Sequence, residues 1–257
     1  MADALLLAAF AWLGLAVGSF LNVCIHRLPR GGSVVSPPSR CPHCEYRLRW
    51  YDNIPVLSFL LLRGRCRGCR SPISLRYPVV ELLTMLLFLV HLYFFGWTIL
   101  MAVRLAFACA LIVLFAIDLE HHLLPNAITL PGIAAGLASS LFLPPGIRDA
   151  VIGTIVGGGV LWLIGEVYYR LAGQEGMGGG DVKMLAMIGA FLGWKLVLVT
   201  LVLSSVAGSL IGMAVIALRR GGMKYALPYG TFLALGALAA SLVGEEIVAW
   251  YVGLYEF

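Results

Sequence analysis

The stretch Gly176-Met177-Gly178-Gly179-Gly180-Asp181-Val182-Lys183 places four glycines, an acid and a base between two long apolar segments. Glycine lets the backbone approach a neighbouring helix or a ligand closely. An ionised carboxylate is costly to bury beside lipid, so an acid at a membrane edge is a candidate functional residue. Asp118 also closes an apolar run. The two aspartates therefore form a candidate pair, and the apolar segments around them decide the fold class.

The composition is typical of a membrane protein. Of the 257 residues, 61% are hydrophobic and 12% are charged, whereas a soluble domain is about half apolar and about one quarter charged. Apolar runs near the length of about 20 residues that crosses a bilayer as a helix recur along the chain. We therefore predict an all-α polytopic membrane protein with about eight transmembrane helices, at residues 4–24, 79–95, 98–117, 127–143, 150–171, 182–194, 196–218 and 229–252.

Basic residues are distributed unevenly between the predicted loops. If the N-terminus is outside, the inner loops are 25–78, 118–126, 172–181 and 219–228. The first loop carries Arg27, Arg30, Arg40, Arg47, Arg49, Arg63, Arg65, Arg67, Arg70 and Arg76, and the other inner loops are flanked by Arg170, Lys183, Arg219, Arg220 and Lys224. Arg148 and Lys195 fall on the outer side. Because cytoplasmic loops carry an excess of Lys and Arg, we expect the first loop to be cytoplasmic.

Two CxxC pairs lie in the first loop, at Cys41-Pro42-His43-Cys44 and Cys66-Arg67-Gly68-Cys69. Pairs about twenty residues apart are typical of a structural zinc site, in which four thiolates close a tetrahedron. Two disulfides are the alternative, but a cytoplasmic loop is a reducing environment. We therefore predict Zn²⁺ bound by Cys41, Cys44, Cys66 and Cys69. The predicted domains are the first transmembrane helix (1–24), a cytoplasmic zinc-binding domain (25–78) and a helical membrane domain (79–257).

Several other residues have ordinary structural interpretations. Glu81 and Glu166 lie at or within predicted spans and are expected to pair with neighbouring arginines. Glycines at four neighbouring positions are expected to permit close helix packing in lipid, namely Gly153, Gly157, Gly158 and Gly159.

Asp118 and Asp181 lie near the same predicted membrane edge on separate helices. Two carboxylates a few ångströms apart do not both ionise easily, so they can share one proton. The ionised member can activate water while the protonated member donates to a peptide carbonyl or leaving group. An ion-coupled transporter with a zinc-knuckle domain would also use a buried acid pair, although its acids are expected along a path at the membrane midplane. Protease and transporter both remain open on the residues alone.

Several motifs together resemble the type IV prepilin peptidases, a family of membrane aspartyl proteases with a GxGD signature. Gly178-Gly179-Gly180-Asp181 matches that signature within a longer similar stretch, 175–186. Residues 118–125 are similar to the family's other aspartate motif. Further similarities lie at residues 18–29, in the two CxxC pairs, in Arg76-Tyr77-Pro78 with Glu81, and in Pro228-Tyr229-Gly230. The resemblance covers nearly the full chain and implies that Asp118 and Asp181 are catalytic, with Gly178, Gly180 and Lys183 as supporting motif residues.

The resemblance also implies a location and a reaction. Family members are multi-pass proteins of the bacterial inner membrane that serve type IV pilus assembly and type II secretion. They cleave the leader peptide of prepilins and pseudopilins after a glycine, with the active site facing the cytoplasm. Many then N-methylate the new N-terminus with S-adenosyl-L-methionine. We therefore expect prepilins and membrane lipids as partners, no nucleic acid, and Zn²⁺ and S-adenosyl-L-methionine as cofactors.

Methylation is associated in this family with the glycine that precedes the second CxxC pair, which corresponds to Gly64 here. The next position is often Lys and is Arg65 in this chain, which keeps the charge and changes its geometry. A prepilin peptidase without methyltransferase activity is the alternative within the family.

Overall fold

The computed structural model describes residues 2–174, 178–218 and 228–254. The α-helices in these ranges are α1 Ala2–Arg27, α2 Leu57–Leu61, α3 Arg76–Phe95, α4 Ile99–His121, α5 Asn126–Ser139, α6 Ile147–Ala172, α7 Gly179–Leu218 and α8 Tyr229–Gly253. Two short 3-10 helices, Leu28–Arg30 and Trp50–Asp52, lie between α1 and α3. Part of the glycine-rich stretch and most of the predicted inner loop with Arg219, Arg220 and Lys224 lie outside the described residues.

Within the described ranges, six helices are long and apolar enough to cross a membrane: α1, α3, α4, α6, α7 and α8. The all-α membrane class is therefore confirmed, while this number differs from the predicted eight. The predicted fourth segment corresponds to α5, which has 14 residues and is shorter than the about 20 residues that span a bilayer. The predicted sixth and seventh segments both lie on α7, which has 40 residues.

α7 consists of two helical arms separated by a break at Gly193. The backbone of Gly193 is non-helical, with φ 77° and ψ 172°, a conformation that is readily available only to glycine. The arms are residues 179–192 and 194–218, which correspond closely to the two predicted segments. The first arm is as short as α5, in agreement with the short sixth segment read from the sequence.

Contacts on the two sides of this break show that the chain reverses direction. A Cβ atom on Gly180 would lie 3.0 Å from Leu124, and a Cβ on Gly230 would lie 2.9 Å from the same side chain. In the second arm, a Cβ on Gly208 would lie 3.5 Å from Phe232. Residues 180 and 208 therefore both lie near the first turns of α8, whereas a straight helix rising about 1.5 Å per residue would separate them by about 42 Å.

The chain forms two compact units, residues 1–113 and 114–257. In the first unit, α1 packs closely on α3, and a Cβ on Gly18 would lie 2.7 Å from the Glu81 Cα. Buried apolar side chains join α1, α3 and α4 in a cluster of Phe10, Phe88, Met101 and Leu105. The predicted zinc-binding region lies within this unit, and its predicted limits stay a prediction.

In the second unit, the backbones of α6 and of the first arm of α7 lie in close contact. A Cβ on Gly153 would lie 2.6 Å from the Gly189 carbonyl oxygen, and a Cβ on Gly157 would lie 2.5 Å from another α7 carbonyl. A Cβ on Gly158 would lie 3.3 Å from the Ala186 side chain of α7, and a Cβ on Gly159 would have no neighbouring heavy atom within 4 Å. Close packing is therefore confirmed for Gly153 and Gly157, and the prediction was wrong for Gly159, because its helix face does not meet α7.

Gly153→Ala should lower stability in detergent, while Gly159→Ala should not. The added methyl of the first variant collides with backbone that cannot move independently of its helix, and overpacking of this kind costs about 1–3 kcal/mol. The second variant adds the same methyl in open space, where alanine favours the helix over glycine by up to about 1 kcal/mol. The measurement is thermal unfolding of both purified variants in one detergent. Equal unfolding temperatures would contradict the packing described here.

Candidate active site and metal centre

Asp118 lies in the last turn of α4 and is buried, with 5% of its surface exposed. Its Oδ2 atom accepts a hydrogen bond of 2.8 Å from the Thr231 backbone N–H, at the start of α8. Gly230 lies against the same carboxylate, since a Cβ there would be 2.8 Å from Oδ2. Asp118 is therefore held by α8, a helix that lies more than a hundred residues away in the sequence.

Asp181 lies in the first turn of α7 and is partly buried. Its backbone N–H donates to the Gly178 carbonyl oxygen at 3.1 Å, and this turn sets the direction in which α7 leaves the glycine-rich stretch. Leu124 contacts both Gly180 and Gly230, so the first turns of α7 and α8 share one neighbour. The Asp118 carboxylate is close enough to act electrostatically on Asp181. The fold thus brings the two predicted aspartates to the same end of the second unit.

Lys183 does not contact either aspartate through a described hydrogen bond. Its Nζ atom donates to the Asn126 side-chain oxygen at 3.0 Å. Asn126 begins α5 and follows the first aspartate motif directly in sequence. This bond therefore connects the beginnings of α5 and α7, and Lys183 supports the arrangement of the two motifs.

The four predicted cysteine ligands come together in the first unit. Their sulfur atoms all lie within 4.8 Å of one another, with the Cys41 and Cys69 sulfurs 3.8 Å apart and the Cys44 and Cys66 sulfurs 3.9 Å apart. Tetrahedral zinc with Zn–S bonds of about 2.3 Å places its sulfurs about 3.8 Å apart. All six cysteines lie in the described ranges and none forms a disulfide. The group can hold a metal ion, and the disulfide alternative is not observed.

Each CxxC pair forms the same kind of turn. The Glu45 N–H bonds the Cys41 carbonyl and the Arg70 N–H bonds the Cys66 carbonyl, both at 3.0 Å. Burial opposes ionisation of the Cys41 thiol, but backbone hydrogen bonds from His43 and Cys44 and neighbouring thiols bring its pKa down to about 6. These hydrogen bonds therefore favour the thiolate of Cys41, which is the form that binds metal.

Asp52 connects the two CxxC turns and was missed by the sequence analysis. Its Oδ1 accepts from Arg67 Nε at 2.6 Å, inside the second pair, and its Oδ2 accepts from the Tyr46 hydroxyl at 3.2 Å, next to the first. Burial opposes ionisation of this carboxyl, but the hydrogen bonds from Arg67 and the Arg49 backbone N–H hold its pKa below the ordinary value. No sequence signal marks it, because its partners lie 6 and 15 residues away.

Gly64 lies in a tight turn before the second CxxC pair, with φ 67°. Its N–H donates to the Phe59 carbonyl at 2.8 Å, and its own carbonyl accepts from the Ile73 N–H at 2.7 Å. A Cβ on Gly64 would lie 3.0 Å from the Phe59 ring. Both the backbone conformation and the space therefore favour glycine at this position.

Glu81 and Glu166, the two glutamates of the predicted spans, have different partners. Glu166 pairs with Arg170 at 2.8 Å, as predicted. Glu81 is buried and accepts a 2.7 Å hydrogen bond from the Val56 backbone N–H, where an arginine partner was expected. Val56 has φ 58°, a strained conformation for a β-branched residue. Glu81 therefore fixes the start of α2, the helix that leads to the Gly64 turn.

Comparison with known proteins identifies the family. The model of the bacterial peptidase A24 N-terminal domain matches residues 12–95, and that of the type IV leader peptidase family matches residues 105–213. The prepilin leader peptidase/N-methyltransferase of Aeromonas hydrophila is 42% identical over 267 residues, which cover 93% of this chain and 91% of that protein. The chain belongs to the type IV leader peptidase family.

Two other relatives carry the same name. The Pseudomonas putida protein is 39% identical over 270 residues, covering 95% of this chain and 93% of its own. The Myxococcus xanthus protein is 48% identical over 204 residues, covering 78% of this chain but 60% of its own length. No solved structure matches the chain. Membership of the type IV leader peptidase family confirms the resemblance, decides against an ion-coupled transporter, and makes the chain a multi-pass inner-membrane protein.

Proposed function

We propose that this chain removes the leader peptide of type IV prepilins and N-methylates the new N-terminus, with Asp118 and Asp181 as the catalytic residues of cleavage. The observation that carries the assignment is the placement of the two acids, from α4 and α7, at one end of the same helical unit. Family membership supplies the reaction, and the relatives named above carry both activities in their names. The substrate is a prepilin or pseudopilin. Membrane lipids contact the apolar outer surface of the helices.

The proposed cleavage uses the two carboxylates in opposite protonation states. One takes a proton from water as the water oxygen attacks the scissile carbonyl, and the other protonates the carbonyl oxygen. Because the acids come from different helices, helix packing fixes their separation. Gly178 and Gly180 keep the start of α7 free of side chains, and Lys183 holds it to α5.

Asp118→Asn and Asp181→Asn should each reduce leader cleavage by at least about 10²-fold, since one carboxylate cannot supply both the base and the acid. Glu245→Gln is the control, because Glu245 is an exposed carboxylate of α8 and the change removes the same charge. The measurement is the rate of prepilin processing by purified protein in detergent. Normal processing by either aspartate variant would remove that residue from the site.

We further propose that the N-terminus is outside and that both aspartates face the cytoplasm, on the strength of the Lys and Arg distribution. A cysteine replacing Arg148 should react with an impermeant thiol reagent applied to intact cells. A cysteine replacing Gln174 should react only after the membrane is opened, because it lies at the other end of α6. The unsubstituted chain, with its six native cysteines, gives the background. The opposite labelling pattern would invert the orientation.

The Cys41, Cys44, Cys66 and Cys69 cluster is proposed to hold structural Zn²⁺ within a cytoplasmic domain at 25–78. Purified protein should contain about one zinc per chain. Cys41→Ser should lower the zinc content and make the 25–78 region more sensitive to protease, because metal binding contributes directly to folding. Cys109→Ser is the matched control, since Cys109 lies on α4 outside the cluster. Zinc-free protein from a preparation without chelators would contradict the proposal.

Gly64 is proposed to serve methyl transfer, for which S-adenosyl-L-methionine supplies an electrophilic methyl group when bound. Gly64→Val should reduce N-methylation while cleavage continues, because the new side chain collides with Phe59 and distorts the turn. Gly31→Val is the matched control: Gly31 has nearly the same positive φ, 65°, but no heavy atom within 4 Å of an added Cβ. Product mass distinguishes methylated from unmethylated pilin. Full methylation by Gly64→Val would remove Gly64 from the site, and loss of methylation in both variants would point to backbone strain alone.

A further inference from the structure

The two aspartates have unequal hydrogen-bond environments. Asp118 accepts the Thr231 N–H at 2.8 Å and is also within backbone hydrogen-bond reach of Gly230. Among the residues that the structure describes, Asp181 is within reach of one backbone group, that of Gly178. The first N–H groups of a helix have no acceptor inside that helix and carry partial positive charge. The start of α8 therefore donates directly to Asp118 and not to Asp181.

A carboxylate that accepts several N–H hydrogen bonds is stabilised in its ionised form. Of the other groups near the pair, some favour ionisation of Asp118 and others favour ionisation of Asp181. His122 lies close enough to favour an ionised Asp118, the carboxyl end of α4 opposes it, and the amino end of α7 favours an ionised Asp181. Direct hydrogen bonds to a charged oxygen are stronger than the field of a helix end, which falls off within one turn. Burial opposes ionisation of both carboxyls, so the pair holds one negative charge, and the direct hydrogen bonds favour placing that charge on Asp118.

We propose that the start of α8 assigns the roles of the two acids, with Asp118 as the ionised general base and Asp181 as the protonated general acid. Gly230 and Thr231 are then positioning residues that act through Asp118. The proposal rests on the proposed function and deepens it, since a shared acid pair by itself leaves the two roles unassigned.

The assignment gives a balanced reaction. The water oxygen bonds to the scissile carbonyl carbon, the water proton passes to Asp118, and the Asp181 proton passes to the carbonyl oxygen. The product of this step is a neutral gem-diol. When the C–N bond breaks, Asp118 returns its proton to the leaving nitrogen, and Asp181 recovers a proton from one gem-diol hydroxyl. Both acids finish in the states in which they began, and no further reactant is needed.

The lack of a side chain at Gly230 leaves room for the Asp118 carboxylate beside the start of α8. A Cβ at this position would lie 2.8 Å from Asp118 Oδ2 and 3.1 Å from its Cγ. Any side chain would push the carboxylate away from the α8 N–H groups. The Thr231 side chain has a different contact, since its hydroxyl donates to the Pro228 carbonyl at 2.6 Å. Thr231 donates to Asp118 through its backbone N–H and to Pro228 through its hydroxyl, and this allows the two contributions to be separated by mutation.

The test is the pH dependence of kcat/KM for leader cleavage by purified protein, which reports the acid and base of the free enzyme. Thr231→Pro removes the N–H that Asp118 accepts, and proline is tolerated in the first turn of a helix because that N–H has no intrahelical acceptor. The acid limb of the profile should move to higher pH by about one unit, because the base has lost a donor that stabilises its ionised form. Thr231→Val keeps the N–H, loses the hydroxyl, and should leave both limbs in place.

Other outcomes would contradict this assignment of the base and acid roles while leaving Asp118 and Asp181 as the catalytic pair. Movement of the alkaline limb with a fixed acid limb would make Asp118 the acid. An unchanged profile in active Thr231→Pro would show that the α8 donor does not set the roles. If Thr231→Pro fails to fold, as judged by thermal unfolding, Gly230→Ala takes its place with the same expected shift of the acid limb. Failure of the proposed function is recognised separately, by normal cleavage in Asp118→Asn or Asp181→Asn.

Discussion

Backbone amide and carbonyl groups cannot be left without hydrogen bonds in the hydrocarbon core of a membrane. This requirement makes the membrane part of the chain helical, and it makes each interruption of a helix costly. The break at Gly193 is therefore informative. It allows α7 to reverse, so that the first arm leads away from Asp181 and the second arm leads back towards the start of α8. Without that reversal, α8 could not begin beside Asp118.

Close backbone contact supports the same arrangement. Between helices in lipid there is little hydrophobic driving force, and small residues let backbones approach for van der Waals contact. Gly153 and Gly157 perform this role between α6 and the first arm of α7, and Gly18 does so between α1 and α3. The short first arm is thus held on one side by α6 and on another by α5, through Lys183 and Asn126. A rigid support for Asp181 follows from these contacts.

The loop between α1 and α3 is stabilised in a different way. It is too small to bury a large apolar core, so its order depends on polar and metal-binding groups. Four cysteines gather in one cluster, and Asp52 joins the two turns that present them through Arg67 and Tyr46. The buried Glu81 fixes the start of α2 through Val56, and α2 in turn leads to the Gly64 turn. The region is therefore organised by a few directional bonds.

The sequence by itself determined the helical membrane class, the cysteine quartet and the two aspartates, because each depends on local composition or spacing. Apolar length predicts a helix wherever the chain enters lipid, and CxxC spacing predicts a turn that presents two thiols. The tertiary structure decided which helix faces Asp118, the reversal at Gly193, the failure of Gly159 to pack, and the partners of Asp52 and Glu81. These features depend on contacts between residues far apart in the chain, and no local pattern encodes them. The hydrogen bond from Thr231 to Asp118 spans 113 residues, and only the packed helices bring its two atoms together.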